Sequence, residues 1–563
     1  MDCGHFSARG WHRIFAERLF NFRPALSYAI ALSLGVLFGL KLRVFGFFAA
    51  LFPLLACAAF AVLCACFTLG NPCVSGGGFG RRFRVRLARF FIVCVSFCAG
   101  FGDFCIFAAR YQNTAETEGS VYVVARVSEA RAVKNGVWYV LEDPSFDGRP
   151  AAGKLTLYLY SAGDTKIENE GSMVAFNAEI AANTDWTDED GNRAYEWRRD
   201  IRYEVKKCKN FRVLRSGSGV FMRIRQRLKN ALEKSVSEDA FALSYAILTG
   251  ETAEMNGELL ENFRYGGVAH IFAVSGLHVG ALFAFLTAIF RRRRLAALPR
   301  AAKFGLVAAT LLFYGAICGF SASVVRAIVM CLAFYADKLS GFKRDSLESM
   351  GKAAVLVLLV SPVSLFDAGF LLSFSAVAGI LCLSPTFSRL FSAWLPERGA
   401  NGINGINGAK GAKNGRLSKL QKPLKALISL LSVSLGATAA TLPVMCRCFG
   451  YVSGGSLLLN VIVVPIVSAA FPFLLAFAAL AAILPALAGA ILFLPSFFLT
   501  ALSLLFYIID FSPFAIGISF SPLASFAYYG ACVCGSDRVN LRYKARVFGA
   551  CAGLPVFLAS FFL

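Results

Sequence analysis

Histidine is scarce: the chain has four in 563 residues, and two of them, His5 and His12, lie in the N-terminal tail. Two histidines cannot build a multi-histidine metal cluster. Cys446/Cys448 and Cys532/Cys534 are C-x-C pairs without the second pair or the histidines that zinc needs. No metal and no cofactor is expected. There is no nucleotide-binding P-loop, so any pulling force must come from a partner ATPase or a proton gradient. Segment 110–218 holds one cysteine, Cys208, which excludes an internal disulfide there. No cleavable signal peptide is evident, because the basic tail leads into one apolar run followed at once by another.

Acids are also few, 34 against 57 Lys and Arg, a net charge of +23. Half of them, 17, fall in segment 110–218, where they balance 16 bases. The basic excess therefore sits in the N-terminal tail and in short loops between apolar runs. That is the usual orientation signal of membrane proteins, with attraction to an anionic substrate as the alternative.

What is abundant is apolar surface: 57% hydrophobic residues, 55 phenylalanines and a mean hydropathy of +0.62. Apolar runs near 25–40, 44–69 and 87–109 open the chain. Others follow near 268–290, 304–320, 324–337, 352–366, 369–385, 426–446, 456–482, 486–510, 519–535 and 547–563. Runs of this kind span a bilayer as helices, since lipid offers backbone groups no other partner. The expected fold class is a mainly α polytopic membrane protein with about thirteen transmembrane helices. Placing the RRFRVRLAR loop (81–89) in the cytoplasm puts the N-terminus inside and the C-terminus outside. The basic loops at 291–294, 338–344, 386–425 and 537–546 then fall inside, and only the KLR loop (41–43) dissents. NGINGINGAKGAKNG (401–415) makes the loop near 396–424 a flexible tether.

The expected domains are a three-span region (1–109), an extracytoplasmic β-domain (110–218), an interfacial amphipathic helix (219–240) and a helical membrane domain (241–563). Alternation in SVYVVARV (120–127), WYVLED (138–143), KLTLYLYS (154–161) and GSMVAFNAEI (171–180) predicts about five strands, as in a small OB-like barrel. FMRIRQRLKNALEKSV (221–236) reads as a helix along the membrane surface.

Ionisable and amide groups inside spans are costly and usually face a bundle interior or a wet cavity. Here they are His270, Ser275 and His278, with Arg326, Asp367, Asn460 and, near a span end, Asp510. Breaks at Ser275-Gly276, at Ser321 and Ser323 in GFSAS, and before Pro465 accompany them. Their shared level in the outer half of the membrane predicts an outward-facing polar vestibule. The plainer alternative is that Arg326 snorkels, Asp367 caps a helix and Asn460 bonds between helices.

GGVAHIFAVSGLHVGAL (266–282) resembles the signature of the ComEC-type DNA-uptake channels of naturally competent bacteria. The likeness extends to ILTGETAEMNGELLENFRYGG (247–267), GFSASVVRAIVM (319–330), SPVSLFDAGFLLSFSAVAGI (361–380) and the TLPV…SLLLNVIVVP region (441–465), in the family order. AYEWRRDIRY (194–203) lies near the end of what resembles the family's external OB-type domain. The resemblance implies passage of single-stranded DNA through the cytoplasmic membrane, with the β-domain handling the strand. It also implies a DNA-receptor protein, a separate nuclease and a cytoplasmic ATPase as partners. Many members carry a C-terminal metallo-β-lactamase-like nuclease domain with an HxHxDH cluster, which this sequence lacks, so no enzyme activity is expected.

For contact with DNA, aromatics flanked by positive charge are the expected platforms. The candidates are Trp138, Tyr158, Tyr160, Trp197 and Tyr203, with Arg198, Arg199, Arg202, Lys206 and Lys207. The acidic NTDWTDEDGN (183–192) opposes this. In the membrane, Arg326 is the expected phosphate contact, His270 and His278 would line or gate the path, and Asp367 would partner Arg326 or a histidine. Two rivals remain. AVSG (273–276) is similar to the GxSG motif of rhomboid-type proteases, with Ala273 replacing a glycine. A small-solute transporter or an uptake-machine scaffold is the other, although no inverted repeat is visible.

Overall fold

The structure is a computed structural model. It describes residues 24–42, 78–112, 120–133, 136–160, 171–183, 187–188, 191–192, 196–197, 199–217, 220–234, 237–252, 254–272, 275–292, 296–341, 345–393, 415–509, 511, 515–517 and 522–536. The expected spans at 44–69 and 547–563, the tether core and Asp510 lie outside these.

Two helices open the fold, α1 (Pro24–Leu42) and α2 (Gly78–Gln112), packed against each other. They cross where side chains vanish: a methyl on Gly35 would overlap the Phe97 carbonyl, and one on Gly100 that of Leu32. Small residues let helix backbones approach closely where lipid supplies no hydrophobic drive. The start of α1 is held by a distant carboxylate. Glu348 accepts the Ala25 N–H with both oxygens at 3.1 Å, an anion at a helix N-terminus.

The β-domain has five long strands: β1 (Ser120–Val133), β2 (Gly136–Phe146), β3 (Lys154–Tyr160), β4 (Met173–Ala182) and β5 (Ile201–Arg215). Pairing runs β1–β2–β3–β5–β4 and back to β1, closing a barrel; β3–β5 is parallel and the other pairs are antiparallel. Alternate residues fill it, among them Val123, Tyr139, Leu157, Phe176 and Tyr203.

The membrane domain begins with α3 (Val220–Leu232), α4 (Glu238–Thr249) and α5 (Gly257–Tyr265), then a single 3-10 turn, Ala269–Ile271. Next come α6 (Gly276–Ile289), α7 (Arg300–Ile317), α8 (Ala322–Leu339) and α9 (Ser346–Val360). A 3-10 turn, Pro362–Phe366, leads into α10 (Ala368–Cys382) and α11 (Ser384–Ala393). The last helices are α12 (Gly415–Phe449), α13 (Ser456–Ile483), α14 (Ala488–Ile508) and α15 (Pro522–Gly535). Strand β6 (Tyr451–Ser453) pairs with β7 (Ala515–Gly517), fixing the turn before α13 and the segment after α14 at one end.

Among the described residues, six helical stretches are long and apolar enough to cross a bilayer, and two shorter ones are apolar. Only 17% to 33% of each long stretch is buried inside the protein. Leu458, Ile483, Leu494 and Ile508 are each at least 69% exposed, an apolar surface that requires an apolar surrounding.

One expectation changes. The run 268–290 is not one continuous helix: a 3-10 turn, Ala269–Ile271, precedes α6, which starts at Gly276. In the amphipathic helix Leu228, Ala231 and Leu232 pack into the bundle core, while Arg223 and Arg227 stay exposed. Arg225, on the buried face, donates to the Ile317 carbonyl at 2.6 Å and pairs with Glu251 at 3.4 Å.

Candidate functional site

The site is built on the broken element between α5 and α6. Gly267, at φ +73°, turns the chain so tightly that a methyl there would overlap the Ser456 side chain. Next to it, a methyl on Gly266 would come within 2.9 Å of Leu459. The turn therefore lies against the start of α13, which carries Asn460. His270 is exposed, with Nδ1 3.2 Å from the Gly267 carbonyl oxygen. Asn460 is half-buried, and its Oδ1 accepts no hydrogen bond from the described residues.

The S-G-L-H sequence restarts the helix. Ser275 is the N-cap of α6: its hydroxyl accepts the Leu277 N–H at 3.3 Å, and Nδ1 of His278 accepts the Ser275 N–H at 3.3 Å. This is a capping box in which histidine takes the place of Glu or Gln. An accepting Nδ1 leaves the ring proton on Nε2, which is buried and donates to none of the described residues. The ring lies 4.7 Å from that of Phe471. His278 meets Ser275 through the main-chain nitrogen, which is the contact of a cap and not of a base with its nucleophile.

Gly276 brings this helix start against α8, where a methyl on it would sit 3.6 Å from the Ala327 Cβ. The neighbouring Arg326 is 2% exposed. Its Nη2 donates to the Gly369 carbonyl at 2.7 Å, and its Nη1 lies 3.8 Å from Asp367 Oδ2. The same carboxylate oxygen caps α10, accepting the Phe370 N–H at 3.0 Å. Cap and counter-ion are thus one group, and Arg326 does not snorkel. Ser321 is the exposed N-cap position of α8 but makes no side-chain cap bond, and Ser323 is half-buried.

Gly276 thus brings the start of α6 against α8 beside Arg326, while His270 is exposed at the turn that packs on the start of α13, the helix carrying Asn460. A shallow surface depression lined by Arg300, Phe304, Ala336 and Ser340 lies toward the other end of α8, roughly 15–20 Å along the helix from Arg326 at 1.5 Å per residue. Among the described residues no group of three His, Cys, Asp or Glu is placed to hold a metal.

In the barrel, the strand-ladder partners Trp138 and Tyr158 are both half-buried on the outward face. Tyr160 pairs with Gly136 at the end of the same ladder. Other candidates are engaged elsewhere. Trp197 is fully buried against membrane helices and offers no face for a base to stack on, and Tyr203 lies in the barrel core. Arg199 pairs with Glu129, and Arg202 with Asp200 at 2.9 Å. Lys206 and Lys207 are exposed and pair with Glu204 and Glu179. Arg198 lies outside the described residues. Sequence reading missed β5, although the buried alternation Ile201, Tyr203, Val205 carries its signal.

Comparison with known proteins gives the geometry its kinship. The chain is 28% identical over 167 residues to ComE operon protein 3 of Bacillus subtilis (strain 168), a match covering 30% of this chain and 21% of that protein. It is 31% identical over 177 residues to Competence protein ComA of Neisseria gonorrhoeae, covering 30% of this chain and 25% of that one. The match thus spans about a quarter of these curated relatives or less. No solved structure matches the chain. The family described as Competence protein matches residues 247–536, the stretch that contains α5 to α15, the S-G-L-H cap and the Arg326–Asp367 pair, and the chain belongs to that family.

Proposed function

We propose that the chain is a membrane channel component for uptake of single-stranded DNA across the bacterial cytoplasmic membrane during natural transformation. The observation that carries this reading is Arg326, a guanidinium sealed between α8 and α10 inside the family's matched region. Buried charge in a membrane domain is costly and marks ion or substrate pathways. A phosphate is a natural ligand for a guanidinium, which offers it paired N–H donors. One such cation holds a passing polyanion weakly enough to let it go.

In this reading thirteen spans run with the N-terminus in the cytoplasm, and the barrel faces outward as an OB-type domain. The closed five-strand order with its parallel β3–β5 join supports that assignment. Trp138 and Tyr158 are the barrel's stacking surface. The chain conducts and does not cleave; a DNA-receptor protein, a separate nuclease and a cytoplasmic ATPase supply the other steps.

The test is deletion and complementation, scoring labelled DNA in the cytosol separately from DNA bound at the surface. The proposal expects surface binding to persist and cytosolic DNA to vanish in the deletion strain. Undiminished cytosolic entry in that strain overturns it.

A further inference from the structure

We propose that the end of the barrel where β4 begins and β5 finishes is a docking surface for the bilayer, and that Arg212 and Arg215 there take lipid headgroup phosphates. In the ladder Arg215 stands opposite Met173, Val213 opposite Val174 and Arg212 opposite Ala175. Both arginines are exposed, and neither has a carboxylate partner among the described residues. Met173, Val213 and Leu214 are exposed beside them, Leu214 by 56%. Aliphatic side chains open to the surroundings, with guanidiniums on either side, are the pattern of a segment that lies in a membrane interface.

Covalent geometry limits how far this edge can stand from the membrane. Gly217 donates its N–H to the Ser172 hydroxyl at 2.9 Å, so the barrel holds the chain as far as Gly217. Val220, the first residue of α3, comes three residues later, at most about 11 Å away between Cα atoms. There α3 is fastened to α7, which is long and apolar enough to cross the bilayer. Arg225 donates to the carbonyl of Ile317, the last residue of α7, at 2.6 Å, and the Phe221 ring lies 6.1 Å from that of Phe313. Phe313 is exposed and about 6 Å below the end of α7, at 1.5 Å per residue. Val220, 62% exposed, and Phe221 therefore continue the apolar outer surface of a spanning helix toward the barrel, with Arg223 exposed beside them. The headgroup layer, roughly 5–8 Å thick on each side of the apolar core, lies at that level and within reach of the two arginines. Bases stack on aromatic rings, whereas this edge offers Met173, Val213 and Leu214, so lipid fits it better than a nucleic acid. The inference needs α7 to span the bilayer and is independent of what the chain carries.

Hydrogen exchange on the full-length protein tests this in nanodiscs of two compositions, phosphatidylcholine alone and phosphatidylcholine mixed equally with anionic phosphatidylglycerol. Two cations held at an anionic surface should slow exchange of the amides of 212–217 roughly tenfold in the mixed discs, with β1–β3 unchanged. The double variant Arg212→Gln, Arg215→Gln should lose that dependence on phosphatidylglycerol and keep the protection of β1–β3. A photo-crosslinking benzophenone residue in place of Leu214 should form lipid adducts in both discs, read by mass spectrometry. Equal exchange of 212–217 in the two lipids overturns the proposal, as does a dependence that survives the double variant or the absence of adducts at position 214. Slowing by a single-stranded oligonucleotide in phosphatidylcholine discs, with no effect of phosphatidylglycerol, also overturns it and makes this edge a nucleic-acid surface instead.

Discussion

His278 and Ser275 close the start of α6 on each other. The imidazole accepts the serine's N–H at 3.3 Å, and the serine hydroxyl accepts the N–H of Leu277 at the same distance. The family-like S-G-L-H sequence is, physically, a helix restart inside a broken element.

A cap predicts a modest effect. Ser275→Ala should lower stability in detergent by about 1 kcal/mol, and Ser275→Asp should recover it. DNA entry should survive Ser275→Ala, and a serine-reactive fluorophosphonate should not label the protein. Labelling at Ser275, or complete loss of function in a well-folded Ser275→Ala protein, would make it a nucleophile instead.

The helix crossings make a sharper prediction about stability. A side chain on Gly379 of α10 would overlap the Gly436 carbonyl of α12, whereas one on Gly102 would meet nothing within 4 Å. Gly379→Val should cost on the order of 2 kcal/mol or more by forcing the helices apart. Gly102→Ala should be neutral or slightly stabilising. Thermal midpoints of the purified variants check both, and equal midpoints would contradict the packing account.

How much of this was legible in the sequence depends on whether the signal is local. Four barrel strands show as period-2 alternation, and all the described spans as apolar runs, because burial on one face or in lipid writes itself into neighbouring residues. The strand β5 escaped notice because its buried Ile201, Tyr203 and Val205 follow directly on the charged WRRD, and beyond Val205 the strand is mostly exposed. Trp197 was misread for a related reason. An aromatic among arginines resembles a stacking platform, and only long-range packing on α1, α2 and α10 shows it buried. Asp367 was expected either to cap or to pair, and the two turn out to be one role.

With Trp197 withdrawn, the barrel's case for DNA contact falls on the Trp138–Tyr158 pair. Trp138→Ala should weaken binding of a single-stranded oligonucleotide by roughly tenfold, within the 1–3 kcal/mol expected of one stacked base. Fluorescence anisotropy with the purified protein measures it. Unchanged affinity would remove this face from the path.

Cys208 offers a check on the barrel as folded. Burial pushes its thiol pKa up to about 11, so at pH 8 only about a thousandth is thiolate. Its alkylation, followed by peptide mass spectrometry, should be slow at pH 8 and quicken about tenfold per pH unit up to 10. Fast labelling at pH 7 would contradict the closed barrel.

The central claim is that Arg326 serves the passage of DNA, and a charge-balanced variant tests it most directly. Arg326→Ala alone leaves Asp367 buried without its counter-ion, at a cost of about 3–5 kcal/mol. Arg326→Met combined with Asp367→Asn leaves no stranded charge and keeps an oxygen to cap α10. Cells carrying that double variant should hold normal amounts of protein in the membrane and bind labelled DNA at the surface, yet deliver essentially none to the cytosol. Cytosolic delivery at the unmodified level would contradict the account.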